Sequence, residues 1–360
     1  MMEVVQPGLM TTVQDLGRAG HAAEGFPECG ACDQYLYALA NILCGNRSAE
    51  AALECTLLGP RLRFHARAVI AITGQAHPLL NGQPVRTYFP LDVAQGDVLD
   101  VGQIDAMRAY LAVYGGITVP MVLGSRSTDL KCHIGGLNGR ALARGDRLPF
   151  EPVPDDAVFR RLRRCAARLR IPRGAAATQE TVTIRVVPGS QEDAFTQEGV
   201  HTFYSSVYTV SGDTDRMGMK LTGSAIASHH GTDILSDGIL EGSVQVSANG
   251  QPIIMLADHQ TTGGYAKIAT VIPCDLGLLA QLRPGACLRF ERMDRSCAVR
   301  LYREEAAALT ALMEGMNRHD DQCGYQLGSG RELRRVHHRH GRGGYPLRHI
   351  RQRRVRLSRR

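Results

Sequence analysis

The sequence predicts a mainly β protein made of two related barrel-like halves, and three observations lead to that class. Short runs rich in aliphatic and β-branched residues recur along the chain and are punctuated by Gly, Pro, Asn or Asp, the spacing of a sandwich or barrel. Glycine is abundant, at 39 of 360 residues, which suits a turn-rich chain better than a helical one. Finally, the two halves share a loose plan. Each opens on a Pro-Gly, carries Gly-rich β pairs later, and ends in a similar stretch, RGDRLPF (144–150) in one and RPGACLRF (283–290) in the other.

Taken in order, the first regular element is helical. Residues 33–45 place Leu36, Leu39, Ala40 and Leu43 on one face, with Asp33 as N-cap and Gly45 as the C-terminal stop. Strands are expected at 68–73 (AVIAIT), 97–102 (DVLDVG) and 109–114 (AYLAVY). Residues 151–178 read as a proline-flanked linker containing a basic helical piece. Beyond it, strands are expected at 182–187, 207–211, 243–247 and 252–257, and short helices at 275–282 and 302–314. The organisation expected is therefore a subdomain over 1–150, a linker over 151–180, a second subdomain over 181–323, and a tail over 324–360.

Composition bounds the rest. Hydrophobic residues make up 44% and charged residues 21%, an ordinary globular balance. Tryptophan is absent and aromatics reach only 5%, so aliphatic side chains must fill the core. The formal charge of +7 misleads: residues 324–360 hold twelve arginines and one acid, Glu332, so the remainder carries about −4. That tail has little apolar periodicity and cannot bury enough surface to offset its ordering entropy, so it is expected to be a disordered basic extension. A mildly acidic body argues against nucleic-acid binding. No basic–apolar leader opens the chain and no run of about 18 apolar residues occurs, which excludes a membrane-spanning helix and makes the cytoplasm the expected compartment. The ten cysteines are then read as free thiols.

Four clusters carry chemistry. In PGLMTTVQDLGRAGHAAEGFPECGACD (7–33), Gln14, Asp15 and Arg18 stand together. Asp15 and Arg18 can pair and stiffen a loop, or can present a carboxylate and a planar fork of donors to a ligand. In YGGITVPMVLGSRST (114–128), Ser125, Arg126, Ser127 and Thr128 offer hydroxyls and a guanidinium suited to an anionic group, and GGLNGRALARGD (135–146) follows closely. The third, SGDTDRMGMKLTG (211–223), repeats an acid–arginine pair in Asp215 and Arg216. The fourth, SDGILEGSVQVSANGQPIIMLADHQTTGGYAKIATV (236–271), gathers Gln245, Asp258, Thr261, Thr262, Tyr265 and Lys267 around a Gly-Gly pair. There Lys267 is read either as a charge donor or as part of a tight, self-satisfied turn.

The negatives also count. Cys29 and Cys32 form a C-x-x-C without a second pair, and His229-His230 lacks a third ligand at metal spacing, so no metal site is expected. Neither a Gly-x-Ser-x-Gly elbow nor a Gly-Lys-Ser/Thr phosphate loop occurs.

These four blocks, in this order, resemble the biotin-dependent carboxyltransferase family over about residues 3–292, with PGLMTTVQDLGRAGH, GGITVPMVLGSRST and QTTGGYAKIATVI the most specific stretches. That family includes the C subunit of 5-oxoprolinase, KipA, and the carboxyltransferase part of urea carboxylase (allophanate hydrolase subunit 2). The resemblance implies two cyclophilin-like β-barrel subdomains with a ligand cleft between them. It also implies a component active only beside the A and B subunits of 5-oxoprolinase (LamB/YcsF-like and KipI-like), opening 5-oxoproline to glutamate at the expense of ATP. In that chemistry Lys267, Arg126 and Arg216 would stabilise a phosphorylated lactam oxygen, with Asp15, Asp215 and Asp258 as orienting carboxylates. Gln14, Arg18, Ser125, Thr128, Gln245, Thr261, Thr262 and Tyr265 would complete the substrate contacts. Two alternatives stay open: a carboxyltransferase using carboxybiotin, and a KipA-like regulator that binds a kinase inhibitor and performs no chemistry.

Overall fold

A computed structural model of the chain describes residues 1–169 and 181–317. The part of the expected linker at 170–180 and the whole expected tail at 324–360 lie outside the described residues.

Eleven strands form the N-terminal half: β1 (Met2–Gln6), β2 (Met10–Gln14), β3 (Ala52–Leu58), β4 (Arg61–Phe64), β5 (Ala68–Thr73), β6 (Leu79–Leu80), β7 (Gln83–Pro84), β8 (Leu91–Val93), β9 (Val98–Asp100), β10 (Gln103–Val113) and β11 (Arg147–Leu148). They divide between two sheets, in the orders β11-β1-β4-β9-β6-β7 and β2-β3-β10-β5-β8. Alternation along β3 and β10 separates two environments. Leu53, Cys55, Ala109, Leu111 and Val113 enter the core between the sheets. Ala52, Tyr110 and Ala112 face the other way, toward a helical layer.

That layer is built on α1 (Gln34–Leu43), where Asp33 caps the helix by accepting from the Leu36 N–H and Gly45 follows the last turn at φ +74°. Every residue from Leu36 to Leu43 is buried. The reason is that α2 (Asp156–Arg168) and α5 (Arg295–Asn317) close the side of the layer that the sheet leaves open, through Leu162, Ala166, Leu309 and Met316. The expected basic helical piece is thus α2. It buries Leu162 and Ala166 and keeps Arg160, Arg163 and Arg164 on its outer side.

The C-terminal half contains β12 (Thr181–Pro188), β13 (Tyr208–Val210), β14 (Gly218–Thr222), β15 (Asp233–Gly238), β16 (Ser243–Val246), β17 (Pro252–Met255), β18 (Thr262–Tyr265), β19 (Lys267–Val271) and β20 (Cys287–Arg292), with helices α3 (Gln197–Ser205) and α4 (Pro273–Ala280). Seven of these strands close a barrel in the order β12-β19-β16-β17-β14-β13-β20, sealed by parallel pairing of β12 with β20 from Thr181↔Cys287 to Val186↔Arg292. Closure removes exposed edges. Val244, Val246, Ile254, Met219 and Leu221 point inward and fill the lumen. The remaining pair, β15 and β18, forms a separate two-stranded ribbon. The strands expected at 182–187, 207–211, 243–247 and 252–257 fall within a residue or two of β12, β13, β16 and β17. Only this second half is a closed barrel; in the first half the strands split between two sheets.

Candidate functional site

The two halves meet around one guanidinium. Arg216, on the loop before β14, is 4% exposed and binds Asp258 through two parallel hydrogen bonds, Nε to Oδ2 at 2.8 Å and Nη2 to Oδ1 at 2.9 Å. From the opposite half it also donates to the Gly30 carbonyl at 2.7 Å, to Glu54 Oε1, and to Cys32 Sγ at 3.1 Å. Glu54 lies at the centre of β3 and accepts from Tyr110 Oη and from the Cys32 N–H, each at 2.8 Å. Arg108, on β10, sits 3.4 Å from the same carboxylate and donates to the Ala280 carbonyl at 2.6 Å. Gln281 completes the seam by accepting from the Arg108 N–H and donating to Asp33 Oδ2 at 2.8 Å.

Electrostatics explain why a charged cluster survives burial. Burial alone would raise Glu54, but Arg216 and Arg108 outweigh it and hold the carboxyl below its usual range. Burial likewise opposes the charge on Arg216, and the carboxylates of Asp258 and Glu54 more than restore it. At Asp33 the balance falls the other way: burial pushes it up to about 6, against the Leu36 N–H and Gln281 bonds. The C-x-x-C thiols are suppressed in the same way, Cys29 pushed far up and Cys32 to about 12 by burial, so neither is a ready nucleophile.

The first two sequence clusters converge in the N-terminal half. Asp15 Oδ1 accepts from the Ser125 and Ser127 hydroxyls, both at 2.6 Å, and from the Gly17 N–H at 2.9 Å; its second oxygen accepts from the Arg126 N–H. Gln14 donates to Thr12 Oγ1 and to the Thr128 carbonyl, and the Thr128 hydroxyl donates to the Val13 carbonyl. Asp15 and Arg18 do not pair. Gly17, at φ +92°, turns Arg18 toward the Ser127 carbonyl and Asp129, whose carboxylate is 4.0 Å away. Arg126 is half-buried and donates from Nε to the Val119 carbonyl at 2.9 Å. This cluster reaches the seam through residues 28–31, where the Arg18 N–H donates to Glu28 and the Ala31 N–H to Asp15.

The third and fourth clusters build a cleft of about 280 Å³ between the outer barrel wall and the ribbon. Its wall holds Lys220, Ile253, Met255 and Gln245, and its rim holds Asp213, Asp215, Met217 and Gln260. Gly263, Gly264 and Tyr265 supply the roof. Space is tight at the first glycine of the pair: a Cβ at Gly263 would stand 2.5 Å from Ile239 Cδ1 and 2.7 Å from Gln245 Nε2. Gln245 donates to the Tyr265 carbonyl at 3.3 Å. Lys267 lies on β19 beneath the ribbon; its Nζ meets Asp237 Oδ2 at 2.8 Å, and Gln191 donates to the same oxygen at 3.2 Å. Asp215 pairs not with its neighbour Arg216 but with the Met217 and Gly218 N–H groups, at 2.8 and 3.0 Å.

Of the residues expected from sequence, Asp215, Gln245 and Tyr265 line the cleft, Thr261, Thr262 and Lys267 lie on or beneath its ribbon, and Arg216 and Asp258 belong to the seam. Gln14, Asp15, Arg18, Ser125, Arg126 and Thr128 form the separate N-terminal cluster and do not line the cleft. Sequence reasoning missed Glu54, Arg108 and Tyr110 in the seam and Lys220 and Gln260 in the cleft. A signal existed for the first two: each is a charge inside an otherwise apolar strand, ALECTLL or MRAYLAV.

A two-sheet half joined by a buried ionic seam to a closed barrel, with a ribbon-roofed cleft, defines a mainly β protein of the carboxyltransferase type. The model of the carboxyltransferase domain, subdomains A and B, matches residues 24–292, and the chain belongs to that family. It is 36% identical to the C subunit of the Haemophilus influenzae 5-oxoprolinase over 84% of this chain and 95% of the relative. Against the C subunit of the Escherichia coli 5-oxoprolinase it is 38% identical over 81% and 90%. The crystal structure of the Kluyveromyces lactis urea amidolyase superposes with a TM-score of 0.78 at 30% identity, covering 89% of this chain but only 20% of that one. Among the described residues, no helix is long and apolar enough to cross a membrane.

Proposed function

We propose that this chain is the C component of a multi-subunit, ATP-dependent 5-oxoprolinase, active beside the A and B subunits in the cytoplasm. The observation that carries the reading is similarity: the chain is 36–38% identical to the oxoprolinase C subunits along 90–95% of their length, against 30% to the urea amidolyase. A lactam is a poor electrophile. Transfer of the ATP γ-phosphoryl group to its oxygen releases ADP and makes the ring carbon attackable by water; the C–N bond then breaks to leave γ-glutamyl phosphate, and a second water releases glutamate and phosphate.

In this reading Gln245, Tyr265 and Asp215 contact the substrate, with Thr261 and Thr262 at the ribbon's edge. Lys267 and the Arg216–Asp258 pair act by positioning: Lys267 fixes the ribbon, and the pair fixes the loop before β14. Arg126 and the cluster of Gln14, Asp15, Arg18, Ser125 and Thr128 hold the adjoining loop.

The fit to the urea amidolyase structure favours one second reading, carboxyl transfer from carboxybiotin. Reconstitution separates them. With the A and B subunits and ATP, the complex releases glutamate from 5-oxoproline, and avidin leaves the rate unchanged. Avidin inhibition, or activity only after a biotinylated partner is added, overturns the proposal.

A further inference from the structure

Three adjacent strands set Lys220, Ile253 and Gln245 in one row across the cleft wall, through the pairings Lys220↔Ile253 and Gln245↔Ile253. The order of chemistry along that row is a cation, an apolar patch and an amide. We infer that Lys220 binds the carboxylate of a small cyclic amide acid whose ring lies on Ile253 and whose amide edge meets Gln245. This inference rests on the oxoprolinase reading and adds a residue that sets substrate charge.

The spacing supports a ligand of one ring. Neighbouring strands lie about 4.8 Å apart, so the two end residues stand about 10 Å apart along the row. Two hydrogen bonds of about 2.8 Å leave about 4–5 Å between them, the width of a single five-membered ring. Met217 and Met255 flank the same space and suit ring methylenes. Gln245 spends one donor on the Tyr265 carbonyl, which orients its amide, and an amide's paired donor and acceptor complement those of a lactam.

The present partner of Lys220 is weak enough to be exchanged. Its Nζ is 3.8 Å from Asp213 Oδ2, and the two side chains are 55% and 79% exposed, the geometry of a loose surface pair. Asp215, by contrast, is anchored by two backbone N–H groups of its own turn, both on Oδ1. A ligand carboxylate therefore replaces Asp213 at Lys220. When the lactam opens, the new ammonium group finds Asp213 at the same rim, so the cleft accommodates product as well as substrate.

The test is the steady-state kinetics of the reconstituted complex with 5-oxoproline and with its neutral carboxamide. A charge-assisted hydrogen bond at a half-exposed site corresponds to about a tenfold change in affinity. Lys220→Met is expected to raise KM for the acid about tenfold with kcat little changed and no effect on the carboxamide. Lys220→Arg restores the acid, and Asp213→Asn lowers its KM. An unchanged KM in Lys220→Met, or equal losses on acid and carboxamide, overturns the role of Lys220 while leaving the oxoprolinase reading intact. A wild-type complex that turns over neither compound overturns both. Co-purification with the partner subunits confirms that each variant is folded, and Asp213→Asn, whose effect has the opposite sign, keeps the inference falsifiable if Lys220→Met does not assemble.

Discussion

Glu54 and Arg216, 162 positions apart, form an ion pair with side chains only 1% and 4% exposed, and through it an inner strand of the first half grips the loop between β13 and β14 of the second. Such a pair contributes little against an apolar replacement but costs heavily when broken. Glu54→Ala leaves Asp258 as the one carboxylate on Arg216 in a buried site and should destabilise the chain by about 3–5 kcal/mol. Glu54→Leu combined with Arg216→Met should lose less than its two single changes added together, although Asp258 and Arg108 then lack these partners. Urea denaturation of the wild type, Glu54→Leu, Arg216→Met and the double variant checks this, and additive losses in the double variant would refute the coupling.

Lys267 and Asp237 should behave as one unit. If the lysine fixes the ribbon, Lys267→Ala and Asp237→Ala each lower turnover of the complex by a similar factor, about tenfold to a hundredfold, because the roof over the substrate shifts. The double variant should be no worse than either single one. Thermal midpoints should fall further in Asp237→Ala than in Lys267→Ala, since Lys267 is 7% exposed and the first change leaves its buried ammonium without a carboxylate. A lysine acting directly on substrate would instead leave Asp237→Ala nearly normal.

Two glycines should respond differently to alanine. At Gly263 the new methyl meets only the far ends of Ile239 and Gln245, which can move, so stability falls slightly while KM for substrate rises as Gln245 is displaced. At Gly135, with φ +67°, the methyl would stand 2.0 Å from the Ser127 carbonyl, and the backbone itself must shift. Gly135→Ala should therefore reduce folding yield or lower the melting midpoint by far more. Circular dichroism melts and KM values together check the contrast.

Asp33 makes stability depend on pH in a defined sense. Its folded value near 6 lies above the ordinary 3.8, so the folded state holds the proton more tightly. Its contribution is most favourable below about pH 4 and is lost as pH rises through 6, by on the order of 2–3 kcal/mol. Asp33→Asn keeps a capping oxygen and removes the titration. Relative to wild type, the variant should gain stability between pH 4 and 7; a constant difference across that range would contradict the assignment.

What was legible in the sequence was local. The Asp33 cap, the AVIAIT strand and the Gly-Gly pair each follow from a few neighbouring residues, and all three sit where the pattern places them. What was not legible depended on distance or on one dihedral angle. Adjacent Asp215 and Arg216 invite pairing, yet each finds its partner elsewhere because the loop turns between them. Asp15 and Arg18 part for the same reason at Gly17. The division of the first half into two sheets follows from long-range pairing, such as β2 with β3 and β3 with β10, that no local period records.

If this chain serves an oxoprolinase through its own ribbon-roofed cleft, the most direct measurement is the ratio of phosphate to glutamate released from 5-oxoproline by the complex assembled with and without it. One phosphate per glutamate is expected with the chain present, no glutamate when it is absent, and release lowered by about a hundredfold or more at low substrate when it carries Lys267→Ala together with Lys220→Met. Undiminished glutamate release without the chain, or incorporation of labelled bicarbonate into an amide substrate in its presence, would contradict that role.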